Sequence, residues 1–225
     1  MDKETYPDQR VVVLSKKLIF AKVNGKEDTL LAQKYSIGGY PTAMIANADG
    51  SEIDRIVGYY PADEFTGTVK DYLAGRNTLA DLEKQALKNP DDLLLAFKLG
   101  DKYLWRGEYD GAEAAFRKVL ENDKENKTGK ADTAAHYLAL AAYRQKDYAE
   151  AISRFIKAKE IFPQSPLSPD NDIYVAIGYE KSGEIQKAIE SYQKYLDTYP
   201  EGEDRDYAQE HIDKLKGQDS SSEKK

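Results

Sequence analysis

The strongest constraint on this chain is a pattern that occurs three times between Leu93 and Pro200. The first copy carries Leu99-Gly100, Tyr103, Gly107, Ala112 and Phe116. The second carries Leu138-Ala139, Ala151, Phe155, Ala158 and Pro163, and the third Val175-Ala176, Tyr179, Gly183, Ala188, Tyr192 and Pro200. Small residues at fixed places beside one large ring let two helices approach closely, so each copy predicts a helical hairpin. The anchors Ala112, Ala151 and Ala188 stand 39 and 37 residues apart. The longest connections fall around Lys127–Ala131 and Pro166–Ser168, where a turn lengthens at little cost. A stack of such hairpins needs a cover at each end. Asn77 can cap a helix carrying Leu79, Leu82 and Ala86, which Asn89-Pro90 ends; Tyr207, Ala208, Ile212 and Leu215 form the stripe of a closing helix. Gly217 to Lys225 is polar and low in complexity and is expected to be disordered.

Composition narrows the function classes. A chain of 225 residues has room for one or two domains with real cores. No apolar run approaches the roughly 20 residues that cross a bilayer, so no membrane span is expected. The net charge is −7 and no basic stripe is visible, which argues against nucleic acid as a partner. There is no cysteine, which excludes disulfides, thiolate metal sites and thiol redox chemistry in the chain as written. Met1-Asp2-Lys3-Glu4 leads into polar residues and not into the apolar core of a signal peptide. The count of 17 tyrosines is unusual; such rings fill helix-pair cores and are favoured at binding surfaces.

The first 75 residues read differently. Leu18–Val23 is a short apolar run bounded by Asn24-Gly25 and predicts a buried strand. Asp28 to Tyr35 has helical spacing, and Gly38-Gly39-Tyr40-Pro41 leads into Thr42–Ala46. Asp49-Gly50 is a turn signal before an apolar run within Ile53–Tyr60, so the two runs predict a β-hairpin. Pro61 with Asp63 and Glu64 opens a helix whose stripe is Phe65, Val69 and Leu73.

Strand, helix, Gly-Tyr-Pro-Thr, hairpin and helix over Lys3 to about Gly75 resembles the back half of a thioredoxin-like domain. The residues that carry the resemblance are Tyr35, Gly39-Tyr40-Pro41-Thr42, Asp49-Gly50 and Gly58-Tyr59. It implies a cis peptide bond at Pro41 and peptide-binding backbone at Tyr40 and Pro41. It also implies that the family's Cys-x-x-Cys and first two strands would precede a segment like Met1–Thr5. Their absence leaves two inner strand edges without partners. Three outcomes follow: Leu18–Val23 pairs with Thr42–Ala46, a partner donates a strand, or the start is an internal methionine of a longer protein. The last is the expectation favoured here.

The repeated hairpins resemble the tetratricopeptide (TPR) family, whose repeat is ~34 residues. The expected fold class is therefore an α+β partial thioredoxin-like fold followed by an all-α TPR solenoid. Its parts are residues 1–75, a linker and capping helix at 76–90, three repeats with a closing helix at 91–216, and the tail. In that family the first helix of each repeat lines a groove for polypeptides. The matching positions are Phe97, Asp101, Leu104 and Trp105; then His136, Leu140, Tyr143 and Arg144; then Ile173, Ile177, Glu180 and Lys181. Phe97 and Asp101 stand where carboxylate-clamping members carry lysine and asparagine, so that mode of tail capture is not expected.

Other motifs reduce to structure. His136 and His211 are far apart in sequence with no cysteine to join them, so no metal or other cofactor is expected. Thr128-Gly129-Lys130 lacks the leading glycine of a phosphate loop and reads as a turn between repeats. Asp91-Asp92 and Glu203-Asp204 lie near helix starts, where carboxylates suit the dipole. The resemblances imply an interaction module that holds a peptide or partner protein beside a redox-inactive thioredoxin-like remnant. The alternative is an N-terminally truncated thiol–disulfide oxidoreductase whose array recruits a client, with an extracytoplasmic location if an export signal lies upstream. A third reading is self-association through an unpaired strand edge.

Overall fold

A computed structural model describes residues 1–222, with side chains through Gly217. The chain forms two compact units, Met1–Glu108 and Tyr109 onward. The division falls between the two helices of the first repeated pattern.

In the first unit, α1 (Gln9–Ser15) starts at Asp8, whose carboxylate accepts from the Arg10 N–H at 2.8 Å. Helix α2 (Thr29–Lys34) is capped in the same way by Asp28. Strands β1 (Thr42–Ala46) and β2 (Glu52–Val57) pair antiparallel, with Thr42 opposite Val57 and Ile45 opposite Asp54. Gly50 makes the turn between them at φ +82°, a conformation in which glycine pays no steric penalty. Helix α3 (Ala62–Leu73) follows Pro61 and lays Phe65, Val69 and Tyr72 against Ile45, Ile56, Val11 and Leu14. Helices α4 (Leu79–Lys88) and α5 (Leu93–Arg106) complete the unit; Gly107 ends α5 in the left-handed region at φ 80°.

Three local expectations change. The strand predicted at Leu18–Val23 does not form: Leu18 reaches the core, but Ile19 is 99% exposed and the stretch joins no ladder. A strand exists by pairing, and among the described residues the sheet holds β1 and β2 alone. Helix α1 was not foreseen, because only Val11 and Leu14 mark its buried side. The cap of α4 is Thr78 and not Asn77. Thr78 Oγ1 accepts from the Asp81 N–H at 3.1 Å, while Asn77, at φ 54°, donates its own N–H to the Asp81 carboxylate at 2.8 Å. The Asp81 side chain thus reaches back one residue past the cap, a variation on the capping box.

The second unit is helical: α6 (Tyr109–Asn122), α7 (Ala131–Arg144), α8 (Tyr148–Ile161), α9 (Ser168–Ser182), α10 (Ile185–Thr198) and α11 (Arg205–Ser222). Each packs on the next. The small anchors Ala112, Ala139, Ala151, Ala176 and Ala188 are buried, as are the rings of Phe116, Phe155 and Tyr192 that fill the space they leave. Ala208, Ile212 and Leu215 of α11 close the last core. The Thr128-Gly129-Lys130 stretch is a turn, held by the Asp123 carboxylate, which accepts from the backbone N–H groups of Lys127 (2.7 Å) and Thr128 (3.0 Å). The tail expected from 217 overlaps the end of α11, and 223–225 lie outside the described residues.

Candidate functional site

The second unit gathers aromatic rings on the face shared by α7, α9 and α11. Tyr174 of α9 stacks on Phe155 at 5.1 Å and meets Tyr143 of α7 edge-on at 5.4 Å. Tyr143 also touches Tyr148 at 5.6 Å. One turn and a half along α9, Glu180 accepts from the Tyr192 hydroxyl at 2.8 Å and pairs with His211 Nδ1 at 2.6 Å. Tyr207 stacks on the His211 ring at 4.1 Å. Tyr143 and Tyr174 are half-buried and Tyr207 is exposed, so each ring keeps part of its surface open while the rest is fixed by neighbours.

The electrostatics follow from burial. Burial raises the pKa of the Tyr143, Tyr174 and Tyr207 phenols, and the Glu180 charge raises those of Tyr143 and Tyr207 further. Burial also pushes the Glu180 carboxyl up, but hydrogen bonds from Tyr192 and His211 outweigh it and hold the group below the usual carboxylate range. Asp170 moves the other way: burial raises it, and repulsion from Asp204 and Glu203 adds to the rise.

The positions expected to line a groove separate by burial. Leu104, His136, Leu140 and Ile173 are buried, and they pack the interior. His136 is the clearest case: its Nδ1 lies 2.9 Å from Asn171 Oδ1, its ring touches Phe155 and Tyr174, and burial lowers its pKa. Tyr143, Ile177 and Glu180 are half-buried, and Arg144 and Lys181 exposed, on α7 and α9. Phe97, Asp101 and Trp105 are half-buried on α5 of the first unit, where the Trp105 indole N–H donates to Asp101 at 2.8 Å. Sequence reasoning missed Tyr174, Tyr207 and His211. Tyr174 lies next to an anchor position (Val175-Ala176), and a ring there reads as core filler until its neighbours are known.

The first unit holds a different constellation. Asp54 of β2 is fully buried. Its Oδ2 accepts from the Leu79 N–H at 2.7 Å and pairs with Lys102 Nζ at 2.8 Å, while Oδ1 pairs with Arg106 at 3.0 Å. Arg106 also pairs with Glu52 at 2.8 Å, and Lys102 donates to the Tyr72 hydroxyl at 2.9 Å. Burial lowers the Lys102 pKa against the pull of Asp54, and the set ties α4 and α5 to the hairpin. The Tyr40–Pro41 bond is cis, and Tyr40, 54% exposed, borders an open hollow of ≈ 400 Å³ together with Gly25, Ala32, Gln33 and Ile37.

Comparison with known proteins agrees with both halves. Residues 3–73 match the family model described as thioredoxin-like domain, and residues 129–210 match the YfiO family, described as outer membrane lipoprotein. The chain joins a thioredoxin-like domain to a tetratricopeptide-like helical array. Among solved structures, a crystal structure of MamA is 19% identical, covering 75% of this chain and 100% of its own, with a TM-score of 0.48. A MamA RS-1 ArsTM double mutant is 20% identical, covering 69% of this chain and 92% of its own, with a TM-score of 0.47. No curated protein matches the chain. A tetratricopeptide-like fold supports a protein–protein interaction module with proteins as partners. Among the described residues no helix is long and apolar enough to cross a membrane, and no group of three His, Asp or Glu residues is placed to hold a metal.

Proposed function

We propose that the face shared by α7, α9 and α11 binds a peptide segment of a partner protein, and that the thioredoxin-like domain of the same chain is redox-inactive. The observation that carries the reading is the run of accessible rings Tyr143, Tyr174 and Tyr207, each anchored by a ring or hydrogen-bonded neighbour, flanked by Ile177, Arg144 and Lys181. Rigid rings of this kind give contact area at low entropic cost, and aromatic residues dominate binding hot spots. The −7 charge and the lack of a basic stripe favour protein over nucleic acid. The chain as given contains no cysteine, so its thioredoxin-like part supplies no thiol nucleophile.

The test is a peptide array probed with the full chain. Binding that Tyr143→Ala abolishes and Lys194→Ala, on the exposed side of α10, leaves intact is the expected result. Equal loss in both variants, or no binding at all, overturns the reading. Disulfide-reductase turnover by the purified chain would overturn redox inactivity.

A second reading rests on the thioredoxin-like match over 3–73. It makes the chain part of a thiol–disulfide oxidoreductase whose array recruits a client. A Cys-x-x-Cys codon pair upstream and in frame is its expected sign, and an in-frame stop codon between that region and Met1 ends it. Self-association is a weaker reading, motivated by the exposed Ile19 and Phe20 beside a two-stranded sheet. Light scattering that finds only monomer at high concentration rules it out.

A further inference from the structure

Glu180 is an ionised group with no strong cation beside it. Its side chain is 11% exposed, and its pKa lies below the usual range, so it carries a charge at neutral pH. Both of its hydrogen bonds converge on Oε2. Oε1 takes no hydrogen bond from the described residues, and it is not among the enclosed polar atoms without a partner. The basic group within ion-pair distance is the His211 imidazole and not a lysine or arginine; Lys214 acts from farther off. A partly buried carboxylate in that condition gains from an external cation.

The surroundings suit one. Tyr207 lies stacked on His211 with part of its ring exposed, and Tyr143 stands within the field of Glu180. Aromatic faces attract ammonium and guanidinium groups, most strongly where water is partly excluded. Asp170, Glu203 and Asp204 add negative charge near Tyr174. Exposed Arg144 and Lys181 add positive charge close by, which disfavours a run of basic residues.

We propose that this face selects a peptide carrying one isolated lysine or arginine, whose head group reaches Glu180 Oε1 between Tyr143 and Tyr207. The proposal rests on the peptide-binding reading above and names the chemistry of its ligand. Nonapeptides of random flanks with central Arg, Lys, Gln or Glu, titrated against the full chain, test it. Arg or Lys is expected to bind on the order of tenfold more tightly than Gln. Glu180→Gln is expected to erase that preference, and Tyr207→Leu, at an accessible ring, to reduce it with the fold retained by circular dichroism. Binding with no preference for a cation, or a preference that survives both substitutions, overturns this inference and leaves the groove reading standing. Failure of every peptide to bind overturns both.

Discussion

The two units bury most of their polar groups by different means. The thioredoxin-like unit encloses formal charge: Asp54 is fully buried and answered by Lys102, Arg106 and the start of α4. The second unit encloses phenols and an imidazole, with Tyr192, Tyr195 and His136 each finding a polar partner. The difference shows what each surface is left to do. A clamp whose charges answer one another fixes helices to a sheet. A face built from tyrosines has rigid rings and hydroxyls to spare, and one carboxylate oxygen as well.

The largest expected effect breaks the clamp. Asp54→Ala leaves Lys102 and Arg106 partly buried without their shared anion, and removal of one member of such a set costs about 3–5 kcal/mol. Trp105 is the single tryptophan and sits on α5, so its fluorescence reports on that helix. Its denaturation midpoint is expected to fall sharply while amide exchange in α7 to α10 stays unchanged. A shift under 1 kcal/mol would mean that burial of Leu95 and Leu104 holds α5, and not the charges.

The next probes the tyrosine side. Tyr192→Phe removes one of two donors to Glu180 with little change of volume, and an under-satisfied buried acceptor costs about 1–3 kcal/mol. Amide exchange in α10 is expected to accelerate and Trp105 fluorescence to stay fixed. An unchanged exchange pattern would show that water replaces the hydroxyl at no cost.

Acid separates the units less strongly. The His136 pKa is lowered in the folded chain, mainly by burial, so the unfolded chain takes up the proton first. The stability this contributes is complete above the ordinary histidine value and is lost as pH falls through the folded one. The lowered pKa of Glu180 acts in the same direction, in a more acidic range. Exchange protection in α7 and α9 is expected to weaken between pH 7 and 5, and His136→Gln to flatten that dependence. A flat wild-type profile would contradict it.

Much of this was legible in the sequence, for reasons that differ by region. The helix pairs follow from Ala139, Ala151, Ala176 and Ala188, because a small residue at a close crossing admits no substitute and so leaves a local mark. The hairpin follows from Asp49-Gly50, whose turn needs a positive φ. Leu18–Val23 misled because apolar β-branched composition states a capacity to pair, whereas a strand also needs a neighbour. Half of the candidate site was hidden because Glu180 acquires its character from Tyr192 and His211, on two other helices. The Asp54 clamp was hidden for the same reason, although Lys102 and Arg106, one turn apart on a largely apolar helix, were a usable signal.

The smallest effect sharpens the contrast by asking where the units should agree. Thr78 caps α4 in the first and Asp147 caps α8 in the second, each accepting from a backbone N–H at 3.1 Å. Loss of such a cap costs about 1 kcal/mol in most settings. Asp147→Ala is expected to show that full amount in the exchange of α8. Thr78→Ala is expected to show less, because the Asp54 carboxylate already accepts from the Leu79 N–H and supplies the negative charge that a helix start favours. In an Asp54→Asn background the Thr78→Ala cost should rise toward that of Asp147→Ala. If the two costs are equal from the outset, the clamp holds α5 alone and contributes nothing to α4.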